Sequence, residues 1–296
     1  MSRTIKHKYV SAPALSIEPF ILLTQGCIAP ALRRYGISVL KVTAVSELTK
    51  PAIANHLIEL LPTDERLLLL QRCEVVELEF GAVLCEPHQR YRYLYFPMSG
   101  FISLMTKVTG HKPLEIGLIG NEGMLGVTLA LGVTTAPTQA VVQGKGTACR
   151  IKLFELQQLL QDCPQLRYII KQYLFVLMAQ LTESTACAHF HELPQRLARW
   201  LLMSHDRAHS NEFYLTHQLL ADMLGVRRSG VTVAAGVMQY NQLIRYSRGK
   251  ISILNRSGLE LASCDCYQSA QEKYRRFLGE PTPDSEMRLL AKQGTP

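Results

Sequence analysis

One segment restricts the fold of this chain more than any other, the stretch from residue 213 to residue 254. Thr216 is placed to cap a short amphipathic helix over residues 217–224, and Gly225 follows where helices commonly end in a residue with positive φ. A second helix is predicted from Arg227 to about Gln239, with apolar side chains available for its inner face. Two short helices joined by a tight glycine turn form the helix-turn-helix pattern.

The residues after the second helix predict a two-stranded hairpin. Residues 241–246 and 251–254 have strand character, and a tight turn that contains Gly249 joins them. Basic residues lie near the tip of this hairpin, at Arg248 and Lys250. A helix-turn-helix followed by a basic hairpin is a winged helix-turn-helix.

The charge distribution supports a polyanionic partner for this segment. The chain carries a formal charge of +8, but residues 51–190 are nearly neutral, with 11 basic and 12 acidic residues. Residues 225–256 contain no acidic residue and six basic ones: Arg227, Arg228, Arg245, Arg248, Lys250 and Arg256. A surface that faces phosphates needs this composition, because an acidic residue there would repel the nucleic-acid backbone.

The block before residue 153 has a different pattern. Between residues 73 and 152, short β-rich runs alternate with turn residues at spacings near 8–12 residues. Such spacing favours a β-sandwich or barrel. The predicted strands are 74–80, 83–85, 91–96, 101–107, 114–119, 139–143 and 147–153.

A long helix is predicted over residues 164–190, and it is apolar on nearly every side. Such a helix must be buried on more than one face. A β-domain can cover one face, and the other is covered either by the rest of the same core or by a second copy of the helix. We favour the second copy, with the dimer-helix residues Ile169, Ile170, Tyr173, Leu177 and Leu181.

The order of these parts resembles the Crp/Fnr family of bacterial transcription regulators. The resemblance covers about residues 55–262 and is strongest from Leu215 to Ile244, where Thr-His-Gln-x-x-Ala-x-x-Leu-Gly-Val-Arg-Arg-Ser-Gly-Val-Thr matches the family's DNA-binding signature. Tyr95-Phe96-Pro97-x-Ser99-Gly100, Gly120-Asn121-Glu122-Gly123-Met124 and Gly258-Leu259-Glu260…Cys264-Asp265-Cys266-Tyr267 are similar to a subgroup without a well-defined ligand.

The resemblance implies an α+β fold: a cyclic-nucleotide-binding-like β-roll, a long dimerisation helix and a C-terminal winged helix-turn-helix. The expected domains are an N-terminal extension (1–48), the β-roll with flanking helices (49–163), the dimerisation helix (164–190), the DNA-binding domain (191–262) and a C-terminal tail (263–296). The expected DNA-binding residues are Thr216, Gln218, Arg227, Arg228, Ser229, Thr232, Arg245, Arg248 and Lys250.

Two departures from the family limit what the resemblance implies. Relatives that bind a cyclic nucleotide use a Gly-Glu pair for the ribose and an Arg for the phosphate, but the matching positions here are Gly123-Met124 and a cation-free stretch with Thr138 and Gln139. Because a buried phosphate without a cation is poorly compensated, we expect no tight binding of cyclic AMP. Relatives that bind guanine-rich half-sites have Arg, Glu and Arg along the recognition helix, where this chain has Arg228, Ser229 and Val233.

No cofactor and no metal site are expected. The eight cysteines are scattered and predicted to be buried free thiols. Only Cys27 precedes residue 73, so the cysteine cluster of the oxygen-sensing branch is absent. The Cys264-x-Cys266 pair is a weak metal or redox signal, the grouping of Cys187, His189 and His191 near a helix end is another, and His205 with His209 is better explained as a surface pair.

The expected function is therefore that of a homodimeric, sequence-specific DNA-binding regulator in the cytoplasm, without enzyme activity. Its expected partners are double-stranded DNA with a palindromic operator and a second copy, with RNA polymerase as a further candidate, and no membrane. A haem, redox or small-molecule signal in the β-roll remains open as the input. A cupin-like metal enzyme is the remote alternative, since only His88 and His111 occur in the β-region.

Overall fold

In the computed structural model, residues 55–279 are described, so the predicted extension over residues 1–48 lies outside the described part. Two short helices, α1 (His56–Glu59) and α2 (Thr63–Gln71), precede seven antiparallel strands. The strands are β1 (Glu74–Leu78), β2 (Val83–Cys85), β3 (Tyr93–Pro97), β4 (Phe101–Thr106), β5 (Leu114–Ile119), β6 (Gln139–Gly144) and β7 (Gly146–Lys152). A 3-10 helix, Val127–Leu131, lies between β5 and β6.

The strands form two sheets whose inner faces make the core of a β-roll. One sheet has the order β1-β7-β3 and the other β2-β6-β4-β5. Leu94, Phe96, Ile102, Val142 and Ile151 are at most 1% exposed and lie in one continuous apolar cluster. The predicted strands are all present in this region, because short runs of β-forming residues are separated by turn residues such as Gly and Pro.

Two further helices follow the roll, α3 (Leu153–Asp162) and α4 (Pro164–Phe190). Pro164 starts α4, where its missing N–H costs no helical hydrogen bond. Glu65 of α2 supplies the missing cap: its carboxylate accepts hydrogen bonds from the backbone N–H groups of Gln165, at 3.1 Å, and Leu166, at 2.7 Å. The roll therefore holds the beginning of the long helix in place.

Four of the five residues expected on the dimer face of α4 are buried within this single chain. The side chains of Ile169, Ile170, Tyr173 and Leu177 are at most 7% exposed within this single chain, where they pack in the same apolar cluster as the roll, and Leu181 packs at its edge. Side chains buried in their own core offer little surface to a second copy, and a dimer contact through these residues stays a prediction. The side of α4 that is free carries another set of residues, described below.

The C-terminal part continues from α5 (Leu193–Ala208) into a small sheet and a pair of short helices. Its remaining elements are β8 (Glu212–Tyr214), α6 (His217–Leu224), α7 (Arg228–Tyr240), β9 (Ile244–Ser247), β10 (Lys250–Ile253) and α8 (Arg256–Ala262). The sheet order is β8-β10-β9, so β8 extends the predicted hairpin by one strand. Trp200, Leu201, Leu220 and Val231 lie in the core of this part.

Residues 266–278 of the expected C-terminal tail form a helix, α9 (Cys266–Leu278), that packs along α4. The Phe175 and Phe277 rings lie 4.6 Å apart between centroids. The Tyr274 hydroxyl donates to the Glu122 carbonyl oxygen at 2.7 Å, and the Ser269 hydroxyl donates to the Glu183 carboxylate at 2.6 Å. This segment is therefore an integral part of the fold up to Gly279.

None of the helices in residues 55–279 is long and apolar enough to cross a membrane.

Candidate nucleic-acid interface

The helix-turn-helix is built from α6, a glycine turn and α7. The Thr216 hydroxyl oxygen accepts a hydrogen bond from the Leu219 N–H at 3.1 Å, which caps the beginning of α6. Gly225 ends α6 in the left-handed region, with φ 66°. A Cβ at this position would be strained in φ and would lie 2.8 Å from Leu114 of the roll, so the turn requires glycine.

One face of α7 packs inward and the other is free. Val231, Ala234, Ala235 and Met238 are at most 3% exposed and pack in the core of the C-terminal part. The free face is formed by Ser229, Thr232, Val233, Gly236, Val237 and Tyr240. Val233, an apolar residue on this face, is 68% exposed.

Four of the predicted arginines are exposed, two at the start of α7 and two on the wing, which is formed by β9, β10 and the turn between them. Arg227 precedes α7, Arg228 begins it, Arg245 lies on β9 and Arg248 lies in the turn to β10. No ion pair within residues 55–279 involves any of them. Their charge is therefore available to an external anion.

The other two basic residues of the acid-free segment are engaged inside the chain. The Lys250 ammonium lies 2.5 Å from the Glu212 carboxylate, because β8 pairs with β10 and places Glu212 diagonally beside it. The hydrogen bond from Lys250 lowers the pKa of Glu212. The Arg256 guanidinium lies 2.7 Å from Asp206 and 2.9 Å from Glu260 at the start of α8. Neither contact could be predicted from the acid-free segment alone.

Two predicted DNA-binding residues make contacts inside the helix-turn-helix. The Gln218 side-chain amide donates to the Asp222 carboxylate at 2.9 Å, and Lys112 of the roll also binds Asp222 at 2.9 Å. The Thr232 hydroxyl donates to the Arg228 carbonyl oxygen at 3.0 Å. Thr232 therefore uses its only proton within α7.

Sequence reasoning missed a small cluster that links both helices to the wing. The His217 ring is stacked on Tyr246 of β9, with centroids 4.1 Å apart, and its Nδ1 lies 3.0 Å from the Thr232 hydroxyl oxygen. Since Thr232 donates to a carbonyl, His217 Nδ1 must carry the proton of this second bond. Burial lowers the pKa of His217, and the nearby charge of Arg228 lowers it further. The neutral ring therefore joins α6, α7 and β9.

The C-terminal part also contacts the roll through a buried carboxylate. Glu115 of β5 accepts hydrogen bonds from the Ser103 hydroxyl at 2.5 Å and from the Trp200 indole N–H of α5 at 2.6 Å. The residue is half-buried as a whole, but protein encloses its carboxylate, and this burial raises the pKa to about 7. A second contact joins the buried Arg207 of α5 to Glu122, at 2.7 Å.

The four residues expected at the positions of the nucleotide pocket pack inside the roll or lie close to an acidic residue. Gly123 lies against the buried Tyr173 of α4, and a Cβ on Gly123 would lie 2.0 Å from the Tyr173 Oη. Met124 is fully buried, and Thr138 is half-buried next to Gln139. The Gln139 amide donates to the Glu86 carboxylate at 3.0 Å, so a negative group lies near the place where relatives have an arginine for the phosphate.

Comparison with known families decides what the C-terminal part is. Residues 195–262 match the family model described as the Crp-like helix-turn-helix domain. The chain carries a Crp-like helix-turn-helix domain. A comparison with curated protein sequences finds no significant match.

Solved structures show that the roll, the long helix and the Crp-like domain together form the fold of Crp/Fnr regulators, which confirms the predicted fold class. A protein from Eubacterium rectale described as a Crp/Fnr-family transcriptional regulator is 17% identical, with a TM-score of 0.54 over 68% of this chain and 94% of its own. FixK2 from Bradyrhizobium japonicum is 12% identical, with a TM-score of 0.56 over 65% and 98%. The c-di-GMP-responsive regulator CLP from Xanthomonas campestris is 18% identical, with a TM-score of 0.52 over 65% and 99%.

The structure also brings together four side chains that could hold a metal, Cys187, His191, Cys264 and Cys266. They lie at the end of α4 and at the corner where α8 ends and α9 begins. His205 does not join them, because it contacts Asn211 and Arg256 instead.

Proposed function

We propose that this chain is a sequence-specific DNA-binding transcription regulator that acts as a homodimer. The observation that carries the proposal is a set of four exposed arginines that form no ion pair within residues 55–279: Arg227 and Arg228 at the start of α7, and Arg245 and Arg248 on the wing. In winged helix-turn-helix proteins the second helix enters the major groove, while other basic residues contact the backbone phosphates. This function requires no catalytic residue.

Two residues of α7 are suited to contact different bases of the operator. Arg228 begins the helix, where a guanidinium can bind guanine O6 and N7 in the major groove. Val233 lies further along on the same exposed side, and an apolar side chain there suits the methyl group of thymine. We therefore expect a half-site with a guanine and a neighbouring thymine.

Substitution of Arg228 tests this reading. Arg228→Ala should weaken binding to the best operator by about 1–3 kcal/mol and relax the preference at one base position. The measurement is a selection of bound sequences from a random pool, followed by titration of the selected operator. Equal weakening on every sequence would show that Arg228 contacts phosphate instead.

The wing offers a matched pair of basic residues for the phosphate contacts. Arg248 is exposed and forms no ion pair within the described part of the chain, whereas Lys250 forms an ion pair with Glu212. Arg248→Ala should reduce the slope of log affinity against log salt by about one, because one phosphate contact and its released counterion are lost. Lys250→Ala should change the slope less, and the opposite order would contradict the assignment.

A homodimer is supported by the free side of α4. Its exposed residues follow each other at alternating spacings of three and four, as in a coiled-coil seam: Tyr168, Lys171, Phe175, Met178, Thr182, Thr185 and His189. Met178 is 57% exposed in the single chain. A second α4 would cover this seam and place two recognition helices on half-sites about one helical turn, roughly 34 Å, apart.

The oligomeric state of charge variants tests the seam. Met178→Glu should convert the dimer to a monomer in light scattering at micromolar concentration, because two charges would be buried face to face. Val75→Glu is the matched control, since Val75 is 68% exposed on β1, away from the seam. A dimer that survives Met178→Glu would place the interface elsewhere.

The residues at the expected nucleotide-pocket positions argue against cyclic AMP as the signal that the regulator senses. Tyr173 occupies the space beside Gly123, and Glu86 lies near the place of the missing arginine. We therefore propose that cyclic AMP is not the effector, and micromolar binding in calorimetry would contradict this. A haem, redox or other small-molecule signal, and RNA polymerase as the partner in transcription, stay compatible with the proposal.

A further inference from the structure

The strongest unexplained feature outside the DNA-binding surface is a cluster of three thiols and one imidazole. Cys187 lies in the last turn of α4, and His191 follows it by four residues, at the end of the same helix. Cys264 and Cys266 lie at the corner between α8 and α9. The fold thus joins residues that are 77 positions apart in the sequence.

The spacing of the ligand atoms suits one tetrahedral ion. All four candidate ligand atoms lie within 4.8 Å of one another. The Cys187 and Cys264 Sγ atoms are 3.5 Å apart, and Cys266 Sγ lies 3.6 Å from His191 Nδ1. Zinc–sulfur and zinc–nitrogen distances of about 2.3 and 2.0 Å require edges of roughly 3.5–3.8 Å in a tetrahedron. The two measured pairs lie within about 0.3 Å of these edges, and the other pairs would close to them with small side-chain movements.

The group around His191 has the arrangement that metal-bound histidines have in proteins. Its Nδ1 faces the thiols, while its Nε2 lies 3.4 Å from the Asp265 carboxylate. A carboxylate on the far ring nitrogen fixes the tautomer, because it accepts the Nε2 proton and leaves the Nδ1 lone pair for the metal. Asp265 stands between the two cysteines of the Cys-x-Cys pair, so one short segment supplies two ligands and this support.

The charge of the surroundings also suits such a site. A zinc ion with three thiolates and a neutral imidazole carries a net charge of −1. Arg199 of α5 is only 8% exposed and forms no ion pair within residues 55–279, and its buried Nε has no hydrogen-bond partner. Arg199 contacts Ser184, one helical turn before Cys187. An anionic metal centre would compensate this buried cation.

We propose that Cys187, His191, Cys264 and Cys266 bind a single zinc ion in a closed, structural site. Zinc prefers this combination of thiolate and imidazole ligands, and four protein ligands leave no open position for catalysis. The ion would tie the end of α4 to the segment that follows the Crp-like domain. It would thereby fix the junction between α4 and α5, independently of whether α7 binds DNA.

Metal analysis of the purified full chain is the direct test. We expect one zinc per chain by mass spectrometry of the metal content, and replacement by cobalt should give the absorption of a tetrahedral thiolate-bound ion. Three results would overturn the proposal: a chain that neither contains nor binds zinc or cobalt at equimolar concentration, iron together with acid-labile sulfide, or a Cys187–Cys264 disulfide in place of the metal.

Variants separate the proposed ligands from their surroundings. Cys266→Ser should abolish stoichiometric zinc binding, while Cys73→Ser, a half-buried cysteine of the roll, should leave it unchanged. Asp265→Ala keeps all four ligands and should weaken zinc affinity about 10–100-fold, as expected for loss of the group that orients the histidine. Wild-type affinity in both Cys266→Ser and Asp265→Ala, with native circular dichroism, would rule out this site.

Discussion

The buried carboxylate of Glu115 gives the sharpest prediction about stability. Its environment favours the neutral form, because burial raises its pKa from the ordinary 4.5 to about 7 despite the hydrogen bonds from Ser103 and Trp200. For an acid whose pKa is raised by folding, the folded state holds the proton more strongly than the unfolded state. The contribution of the protonated Glu115 carboxyl to the stability of the folded state is therefore complete below pH 4.5 and is lost as the pH rises through 7.

The size of the effect follows from the shift. At 1.36 kcal/mol for each pKa unit, a change from 4.5 to about 7 corresponds to about 3 kcal/mol of unfolding free energy. Glu115→Gln has nearly the same shape and no charge. The difference in unfolding free energy, variant minus wild type, should therefore rise by about 3 kcal/mol between pH 4.5 and pH 8.5.

Urea unfolding of both proteins at a series of pH values measures this difference, in which the titration of all other groups cancels. Glu77→Gln is the control, because Glu77 is an exposed carboxylate on β1 of the same roll. A difference that stays flat for Glu115→Gln would refute the assignment of Glu115 as a buried neutral acid. A difference that falls with rising pH would show that Arg199 and Arg207 stabilise the ionised form.

Two further perturbations test the filled pocket and the recognition unit. Gly123→Ala should lower the unfolding free energy by about 1–3 kcal/mol, because its Cβ would overlap the buried Tyr173. Gly236→Ala is the control, because Gly236 lies in open space on α7, and this variant should raise the unfolding free energy by up to about 1 kcal/mol. Equal effects of the two variants in urea unfolding would contradict the close contact between Gly123 and Tyr173. The pKa of His217 is lowered, so stability due to the neutral ring is present above pH 6.5 and is lost as the pH falls below it. Wild type should therefore lose more stability than His217→Asn between pH 7 and pH 5, and identical losses would remove His217 as the cause.

The seven strands and the helix-turn-helix could be predicted because their signals are local. Alternating apolar residues and turn residues lie within a few positions of each other, as in β5 and in the turn at Gly225. The contacts that the prediction missed join distant segments. Glu212 reaches Lys250 only because the three-residue strand β8 pairs with β10, and such a short strand has little pattern of its own.

The candidate metal ligands are a second example of contacts between distant segments that local sequence patterns do not predict. Cys187 with His191, and Cys264 with Cys266, are each a weak pattern alone, since a pair of ligands occurs often without a metal. Only the packing of the α8–α9 corner against the end of α4 combines them into four converging groups. The sequence predicts only a C-terminal tail for residues 263–296, and such a tail offers its cysteines no partner.

The hydropathy pattern of the long helix α4 did not show which of its sides contacts the roll, which contacts α9 and which is left for a second copy. One face packs on the roll through Tyr173, a second lies against α9 through Phe175, and its last turn carries Cys187. Each contact requires apolar or special residues on a different side, so the helix is apolar nearly all round instead of amphipathic. Apart from Phe175, whose ring also contacts Phe277, the seam proposed for a second copy consists of residues outside these intrachain contacts. It follows that a dimer interface on α4 can be located only after the intrachain packing is known, and that Met178, rather than the buried Tyr173, is the residue whose substitution tests it.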